Sequence, residues 1–318
     1  MKKDNQKKYK VIVMTEPGVD DATCLVLMMA DPRIDIKLIT TLRGNVPIET
    51  CTRNMLHILD LYDKDIPVAK GEPKALYRNS PTAEYIHQKE GLGGYIPPKK
   101  TLHKCIKEDA IEAMYKVLKE GDGDIIPIVL SPHTNIAMLI LKHPDIIEKI
   151  PCIYFEGASP YGVPGFPDHI SFNISSDPEA FKIVLDSKIP LYMIPSDMGR
   201  RKAHLDEKFV YALKDLNDSG NFIFQMDTGY WEPGFPDKRI ATNDTCAYYF
   251  LVHPELFQTV QCEVEVDCDL EPGKTYMNFT ENGHVKMAVA IKRKKFLKLF
   301  YNQVKNLKKI KLKNFNRA

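Results

Sequence analysis

The 318-residue chain carries a formal charge of only +2 and is 44% hydrophobic, so it can bury a large core and shows no overall charge excess. No apolar run approaches the roughly 20 residues that span a bilayer, which excludes a membrane-spanning protein. Seven cysteines stand singly without a CxxC pair, which favours reduced thiols in a cytoplasmic protein over a disulfide framework.

No linker, repeat or low-complexity block divides the chain, so residues 1–318 are expected to form a single domain. Residues 1–9 are a charged lead-in that we expect to be disordered, and they lack the apolar core of a signal peptide.

The first predicted elements are a strand, a sharp turn and a helix. Val11–Met14 is an apolar run typical of a buried strand, and Pro17 and Gly18 break it. The apolar periodicity of residues 22–30 then predicts a helix.

Three carboxylates fall within six residues at this turn. Glu16 lies at the carboxyl end of the strand, and Asp20 and Asp21 lie at the helix N-terminus. The helix dipole compensates their repulsion by only about 0.3–1 kcal/mol per charge, whereas carboxylate oxygens suit a hard cation such as Ca²⁺ or Mg²⁺. The two aspartates alone are equally well explained as a helix cap and a first-turn acid, but the addition of Glu16 favours a metal site.

Further strands and helices are predicted in alternation along the chain. They are strands at 36–41, 66–71, 124–131, 150–157 and 189–197, and helices ending at Tyr62, spanning 108–120 and starting at Pro132. This order predicts an α/β fold, a single domain with an open, mostly parallel central sheet flanked by helices. Ligands collect at the carboxyl ends of such strands, which places Asn45 on the same rim as Glu16, Asp20 and Asp21.

The C-terminal stretch is strongly basic. Residues 282–318 contain 12 Lys or Arg and no acidic residue, a pattern that can indicate nucleic acid or an acidic membrane surface. Four apolar residues recur there at near-helical spacing, namely Phe296, Phe300, Val304 and Leu307. We therefore expect a docked amphipathic helix over 292–311 with its lysines in solvent, and neither a nucleic-acid nor a membrane partner.

Motifs spread from Val11 to Phe257 resemble those of the nucleoside hydrolases, the inosine-uridine type N-ribohydrolases. They are Glu-Pro-Gly-Val-Asp-Asp-Ala from Glu16, Gly-Asn at 44–45, His-Gln-Lys-Glu-Gly-Leu-Gly-Gly from His87, Pro-His-Thr-Asn-Ile-Ala from Pro132, Phe-Asn-Ile-Ser-Ser-Asp-Pro-Glu-Ala from Phe172, and Asn-Asp-Thr-Cys-Ala from Asn243. The resemblance implies a mostly parallel α/β sheet, one Ca²⁺ and no organic cofactor. It also implies hydrolysis of the N-glycosidic bond of a nucleoside by metal-activated water and, by analogy, a homodimer or homotetramer.

The resemblance also implies roles for individual residues. The implied metal ligands are Glu16, Asp21, Asp244 and the backbone carbonyl of Leu130. The implied catalytic residues are Glu16 as general base, Asn243 at the position of the family's general-acid histidine, and His87 as a group that could replace that acid. The implied substrate contacts are Asp20, Asn45, Asn173 and Ser171. Apart from the resemblance, the aromatic pair Tyr230 and Trp231 is either a lid over the base or ordinary packing.

Five departures from the family pattern bear most on the chemistry. Met14 and Glu16 stand where aspartates are usual, Ser171 replaces a ribose-binding glutamate, Gly165 an asparagine, and Asn243 a histidine. These changes affect the general base, the contacts to the ribose and the proton donor to the departing nucleobase together. We therefore expect slow turnover of common nucleosides.

Three other interpretations follow from the same residues. A ribosyl substrate with a different 5′ group is one, since Arg200 and Arg201 could face a phosphate. A non-catalytic relative that binds a metal or a ribosyl ligand is the second. An Asp-dependent phosphohydrolase is disfavoured, because its Asp-x-Asp motif would need acids at both Met14 and Glu16.

Overall fold

In the computed structural model, which describes residues 8–160 and 169–307, strands and helices alternate along most of the chain. The strands are β1 (Tyr9–Thr15), β2 (Ile34–Thr41), β3 (Val68–Lys70), β4 (Ile125–Val129), β5 (Ile153–Glu156), β6 (Leu191–Ile194), β7 (Leu205–Asp206), β8 (Arg239–Ile240), β9 (Phe257–Val266), β10 (Thr275–Phe279) and β11 (Val285–Ile291). The α-helices are α1 (Val19–Ala30), α2 (Ile48–Tyr62), α3 (Glu84–His87), α4 (Ala110–Glu120), α5 (Thr134–Lys142), α6 (Phe172–Ser176), α7 (Pro178–Asp186), α8 (Glu207–Lys214), α9 (Asp218–Thr228), α10 (Asn243–Val252) and α11 (Arg293–Lys305). A π-helical turn covers Met198–Lys202.

Nine of these strands form one sheet in the order β10-β9-β11-β6-β5-β4-β1-β2-β3. All pairs from β3 across to β11 are parallel, whereas β9 pairs antiparallel with both β11 and β10. The predicted open, mostly parallel sheet is therefore confirmed. The chain places β2 and β3 on one side of β1 and β4 on the other, so the boundary between β1 and β4 is a topological switch point, where ligands of such sheets bind.

Strand β1 is buried on both faces. Val11 and Val13 belong to one apolar core, and Ile12 and Met14 belong to the other, because successive side chains of a strand point to opposite faces. Covering both faces of a parallel sheet explains why the strand is an unbroken apolar run. Met14 thus packs in the core.

The sequence predictions match strands β1 to β6 but omit the five strands that follow, β7 to β11, and the helices α3, α6 and α7. Strand β9 exposes or half-buries most of its residues and lies between two antiparallel partners, so it has no continuous apolar run. Helix α1 begins at Val19, earlier than its apolar periodicity indicates, because the polar Asp20 and Asp21 occupy its first turn. Tyr9 belongs to β1, so the expected lead-in is shorter than predicted, and residues 1–7 lie outside the described residues.

Helix α11 covers part of the basic C-terminal stretch. Phe296, Phe300 and Val304 are fully buried, and the side chain of Gln303 donates to the backbone oxygen of Leu27 at 2.8 Å. The helix is docked on the body through these contacts over residues 293–305, and positions 308–311 of the expected helix lie outside the described residues. Within residues 8–160 and 169–307, no helix has the length and apolarity needed to cross a membrane.

Candidate active site

A cavity opens at the carboxyl edge of the sheet, beside the switch point. Its acidic lining residues are Glu16, Asp20, Asp21, Glu156 and Asp244, and among the described lining residues Arg200 is the only lysine or arginine. The remaining lining residues include five that the sequence predicted, Asn45, His87, Leu130, Asn173 and Asn243. The fold thus brings distant parts of the chain together at this rim.

Asp21 is the centre of a hydrogen-bond network at the start of α1. Its carboxylate accepts from the Thr15 hydroxyl at 2.5 Å, from the backbone N–H groups of Glu16 and Gly18 at 3.1 and 3.2 Å, and from the Asn45 amide at 2.9 Å. These donors fix the carboxylate where β1 ends. Asn45 therefore orients Asp21 in this structure, and it also lines the cavity.

Three aspartates form a cluster of carboxylates in the cavity. Single carboxylate oxygens of Asp20, Asp21 and Asp244 all lie within 4.8 Å of one another. Burial, followed by the charge of Asp20, raises the pKa of Asp21 to about 7, and burial and the other acids raise the pKa of Asp244 well above its usual range. Three buried carboxylates this close together repel one another unless protons or a cation compensate them. The donor set, all oxygen, fits a hard cation such as Ca²⁺.

Glu16 lines the cavity but is not a member of this aspartate cluster. Its carboxylate lies against the backbone of Gly44, where a Cβ would be only 1.2 Å from Oε2. Oε2 is buried and has no hydrogen-bond partner among the described residues. Burial, with the charges of Asp21 and Asp20, raises the pKa of Glu16 well above its usual range. The extra methylene of this glutamate is thus accommodated because residue 44 has no side chain.

His87 and Tyr230 form one wall of the cavity. The ring of His87 stacks on Tyr230 with centroids 5.0 Å apart, and its Nδ1 accepts from the Val19 N–H at 3.2 Å. The proton of the neutral ring therefore resides on Nε2. Burial lowers the pKa of His87 to about 3, so at neutral pH it can donate a hydrogen bond but is not an imidazolium acid.

The two loops that carry these rings meet through their backbones. A Cβ on Gly229 would lie 1.9 Å from the backbone nitrogen of Gly94, and one on Gly93 would lie 2.0 Å from the backbone oxygen of Met226. Only glycine allows this approach. The loop after His87 and the end of α9 are consequently packed as one unit.

Arg200 is held in a buried ion pair beside the same wall. Its Nε lies 3.0 Å from Oε1 of Glu232, and the exposed fractions of the two side chains are 9% and 0%. The Tyr230 hydroxyl donates to Oε2 of the same glutamate at 2.8 Å. Since arginine stays protonated in proteins, the cavity contains a fixed positive charge whose nearest partner is Glu232.

Asn243 and Asp244 are the first two residues of α10. Asn243 lines the cavity, and its side-chain oxygen approaches the backbone of Gly199, the residue before Arg200. A carboxamide does not transfer a proton at neutral pH. Asn243 thus contributes hydrogen-bonding atoms to the cavity, but not an acid.

Two residues assigned to the substrate by resemblance lie outside the cavity lining. Ser171 is 1% exposed, and its hydroxyl accepts from the backbone N–H of Ala158 at 2.8 Å. Trp231 is half-buried, and the Lys238 ammonium lies 5.5 Å from its ring centroid. The adjacent Tyr230 faces the cavity instead. Gly165 lies outside the described residues.

One ionisable residue of the cavity lining has no role in the sequence-based predictions. Glu156 ends β5 and projects into the cavity, where burial raises its pKa to about 8. The sequence does contain a signal, because an acid at the carboxyl end of a buried strand is the same pattern that marks Glu16. It does not say, however, that β5 lies two strands from β1 on the same rim.

The fold and the site define an α/β protein with a mostly parallel sheet and a carboxylate cluster at its switch point, and comparison with known proteins specifies the family. Residues 11–298 match the family model described as inosine-uridine preferring nucleoside hydrolase, and the chain belongs to this family.

Relatives in sequence and in structure agree with this assignment. The chain is 33% identical over 257 residues to the non-specific ribonucleoside hydrolase RihC of Salmonella enteritidis, covering 81% of this chain and 83% of that protein. It is also similar to the purine-preferring ribonucleoside hydrolase from Gardnerella vaginalis, with a TM-score of 0.86, 27% identity and coverage of 94% and 98% of the two chains. A plant nucleoside hydrolase, PpNRh1, gives a TM-score of 0.85 and 25% identity over 94% and 99%. The chain is accordingly an N-glycosyl hydrolase.

Proposed function

We propose that this protein hydrolyses the N-glycosidic bond of ribonucleosides with Ca²⁺ bound at the aspartate cluster. The observation that carries the proposal is the grouping of Asp20, Asp21 and Asp244 within 4.8 Å in a buried cavity. Carboxylates are the ligands of Ca²⁺, and the absence of His or Cys from the cluster disfavours zinc. The backbone carbonyl of Leu130, on the cavity wall, would add a further oxygen.

When bound, such a cation makes a water more acidic and stabilises charge on the ribose hydroxyls. Asp20 is the least buried member of the cluster, so it is placed to contact a ribose hydroxyl at the same time. Because Glu16 lies outside the cluster and its Oε2 receives no donor from the described residues, we assign it as the acceptor of the water proton and not as a ligand.

Departure of the base is expected to be the weak step. Asn243 does not provide a proton, and neutral His87 donates at most a hydrogen bond through Nε2. A general acid typically accounts for about 10²–10⁴ in rate. Substrates whose base leaves readily are therefore expected to react much faster than those with poor leaving groups.

The charges of the cavity favour nucleosides over nucleotides. Arg200 is compensated by Glu232, and the other permanently ionisable lining residues are acidic. Arg201, the other candidate phosphate contact, is exposed and does not line the cavity. A 5′-phosphate would meet no lysine or arginine other than the paired Arg200 among the described lining residues, so we propose a substrate with a free 5′-hydroxyl.

A reducing-sugar assay across ribonucleosides and their 5′-monophosphates, with EDTA and after Ca²⁺ is added back, tests the proposal. We expect ribose release from nucleosides only, loss with EDTA and recovery with Ca²⁺. Asp21→Ala and Asp244→Ala should abolish both activity and Ca²⁺ binding by calorimetry. Asp122→Ala, at an exposed aspartate far along the chain from the cluster residues, is the matched control.

Activity that is insensitive to EDTA would refute the metal assignment. Neither Asn243 nor neutral His87 can act as a general acid. This observation favours one alternative, a non-catalytic relative that binds a ribosyl ligand. Ligand binding without ribose release from any substrate would establish that alternative.

A further inference from the structure

Glu156 has hydrogen-bonding capacity left over for a ligand. Its Oε1 accepts from the Asn173 amide at 2.8 Å, and its Oε2 accepts from the Ser196 hydroxyl at 3.3 Å. Each oxygen of a carboxyl group takes part in up to two hydrogen bonds in either protonation state, so one hydrogen-bonding position remains on each. Because Glu156 and Asn173 both line the cavity, these positions are available to a molecule bound there.

The chain turns sharply directly after this glutamate. Gly157 and Ala158 have φ angles of 148° and 65°, and the second value is unusual for a residue with a side chain. The turn is held by the Ser171 hydroxyl, which accepts from the Ala158 N–H, and by the Ser196 N–H, which donates to the Ala158 carbonyl at 3.0 Å. These bonds fix the position from which Glu156 enters the cavity.

The role of Ser171 follows from this turn. A glutamate at position 171 would lose the short contact that stabilises Ala158. Ser171 stabilises the turn directly after Glu156, so it helps to fix the position of the Glu156 side chain. The carboxyl group that is missing from position 171, before α6, is thus present in the cavity from the end of β5.

We propose that Glu156, together with Asn173, binds the 5′-hydroxyl of the ribose and so determines recognition of the sugar. This assignment rests on the proposed function. The vicinal 2′,3′-diol is the pair of hydroxyls that suits the aspartate cluster and its cation, which leaves the primary hydroxyl for a carboxyl group outside that cluster. Of the two such groups in the cavity lining, Glu16 is assigned to the water proton, so Glu156 remains. One N–H of Asn173 is engaged by Glu156, which leaves its second N–H to donate to the oxygen of the same hydroxyl.

The test compares kcat/KM for inosine, 5′-deoxyinosine and 2′-deoxyinosine. A hydrogen bond to a carboxylate corresponds to about 10- to 100-fold in rate or affinity, so the wild type should prefer inosine to 5′-deoxyinosine by that factor. Glu156→Met, which keeps the side-chain length, and Glu156→Ala should both reduce this preference to near unity. The preference over 2′-deoxyinosine should stay. Glu120→Met, at an exposed glutamate that ends α4, should retain both preferences.

The outcomes separate this assignment from the proposed function. An active wild type whose 5′ preference is unchanged in the two Glu156 variants overturns the assignment alone. Equal loss of the 5′ and 2′ preferences also overturns it, because that result indicates a purely structural role. A wild type that releases ribose from no nucleoside overturns the assignment and the proposed function together. If Glu156→Ala does not fold, the length-matched Glu156→Met variant decides between these outcomes.

Discussion

The contact between Glu16 and Gly44 gives a sharp prediction about coupled mutations. The three atoms nearest to a Cβ placed with ideal geometry on Gly44 are Oε2, Cδ and Oε1 of Glu16, at 1.2, 2.3 and 3.0 Å. Gly44→Ala should therefore displace the Glu16 carboxylate and destabilise the protein by about 1–3 kcal/mol, as overpacking of a well-filled site typically does. Glu16→Asp withdraws the carboxylate by one methylene, so the added methyl group should then fit.

A double-mutant cycle measured by urea denaturation in the presence of EDTA tests this reasoning. The four proteins are wild type, Gly44→Ala, Glu16→Asp and the double variant. Residues in contact show coupling energies of about 0.5–3 kcal/mol, and we expect coupling of that size, with Gly44→Ala nearly neutral in the Glu16→Asp background. Additive effects would show that the carboxylate does not occupy the space at Gly44, and the proposed accommodation of Glu16 by this glycine would then be refuted.

Three further predictions follow from other parts of the structure. Because the pKa values of Asp21 and Asp244 are raised, the metal-free folded protein retains protons that the unfolded chain has released, so its stability should fall as the pH rises from about 4 to about 7. Ca²⁺ should remove this decline, as measured by thermal unfolding. Asp244→Asn should abolish the response to Ca²⁺. Asp227→Asn, which changes a buried acid outside the cavity lining, should preserve it. His133 is fully buried, and neither ring nitrogen has a hydrogen-bond partner within the described part of the chain. His133→Leu should therefore raise the free energy of unfolding by about 1–3 kcal/mol in chemical denaturation. Unchanged or lower stability would contradict this. Deleting residues 294–318 should lower the melting temperature by many degrees, since it removes the buried face of α11, and an unchanged melting temperature would refute the packing role of that helix.

Much of the fold and of the rim could be predicted because parallel sheets impose strong rules. Glu16 and Asn45 each follow a strand, and the carboxyl ends of parallel strands share one edge. The alternation of strands and helices is sufficient for that inference. Predicting that Asp244 lies at the same rim requires its motif as well. An acid at the start of a helix is common, and nothing else in the sequence links this residue to the distant first strand.

Other features depend on contacts that a sequence pattern does not contain. The position of the Glu16 carboxylate depends on the empty space at Gly44, and the neutral state of His87 depends on burial and on the Val19 N–H. The motif around Ser171 assigns this residue to the ribose, whereas its actual contact is with the turn after Glu156. Substitutions at a recognised position can therefore be matched by a residue elsewhere, and only the three-dimensional arrangement shows the match.

The glycine contact between the two loops of the cavity wall has a consequence for protein engineering. Gly93 and Gly94 lie against the end of α9 and Gly229 without room for a side chain. Transplanting either loop alone from a relative with another base preference would place foreign backbone against an unmatched neighbour. Chimeras that exchange the segment after His87 and the segment around Tyr230 as a pair should fold and acquire the donor's preference, whereas single exchanges should yield insoluble or inactive protein.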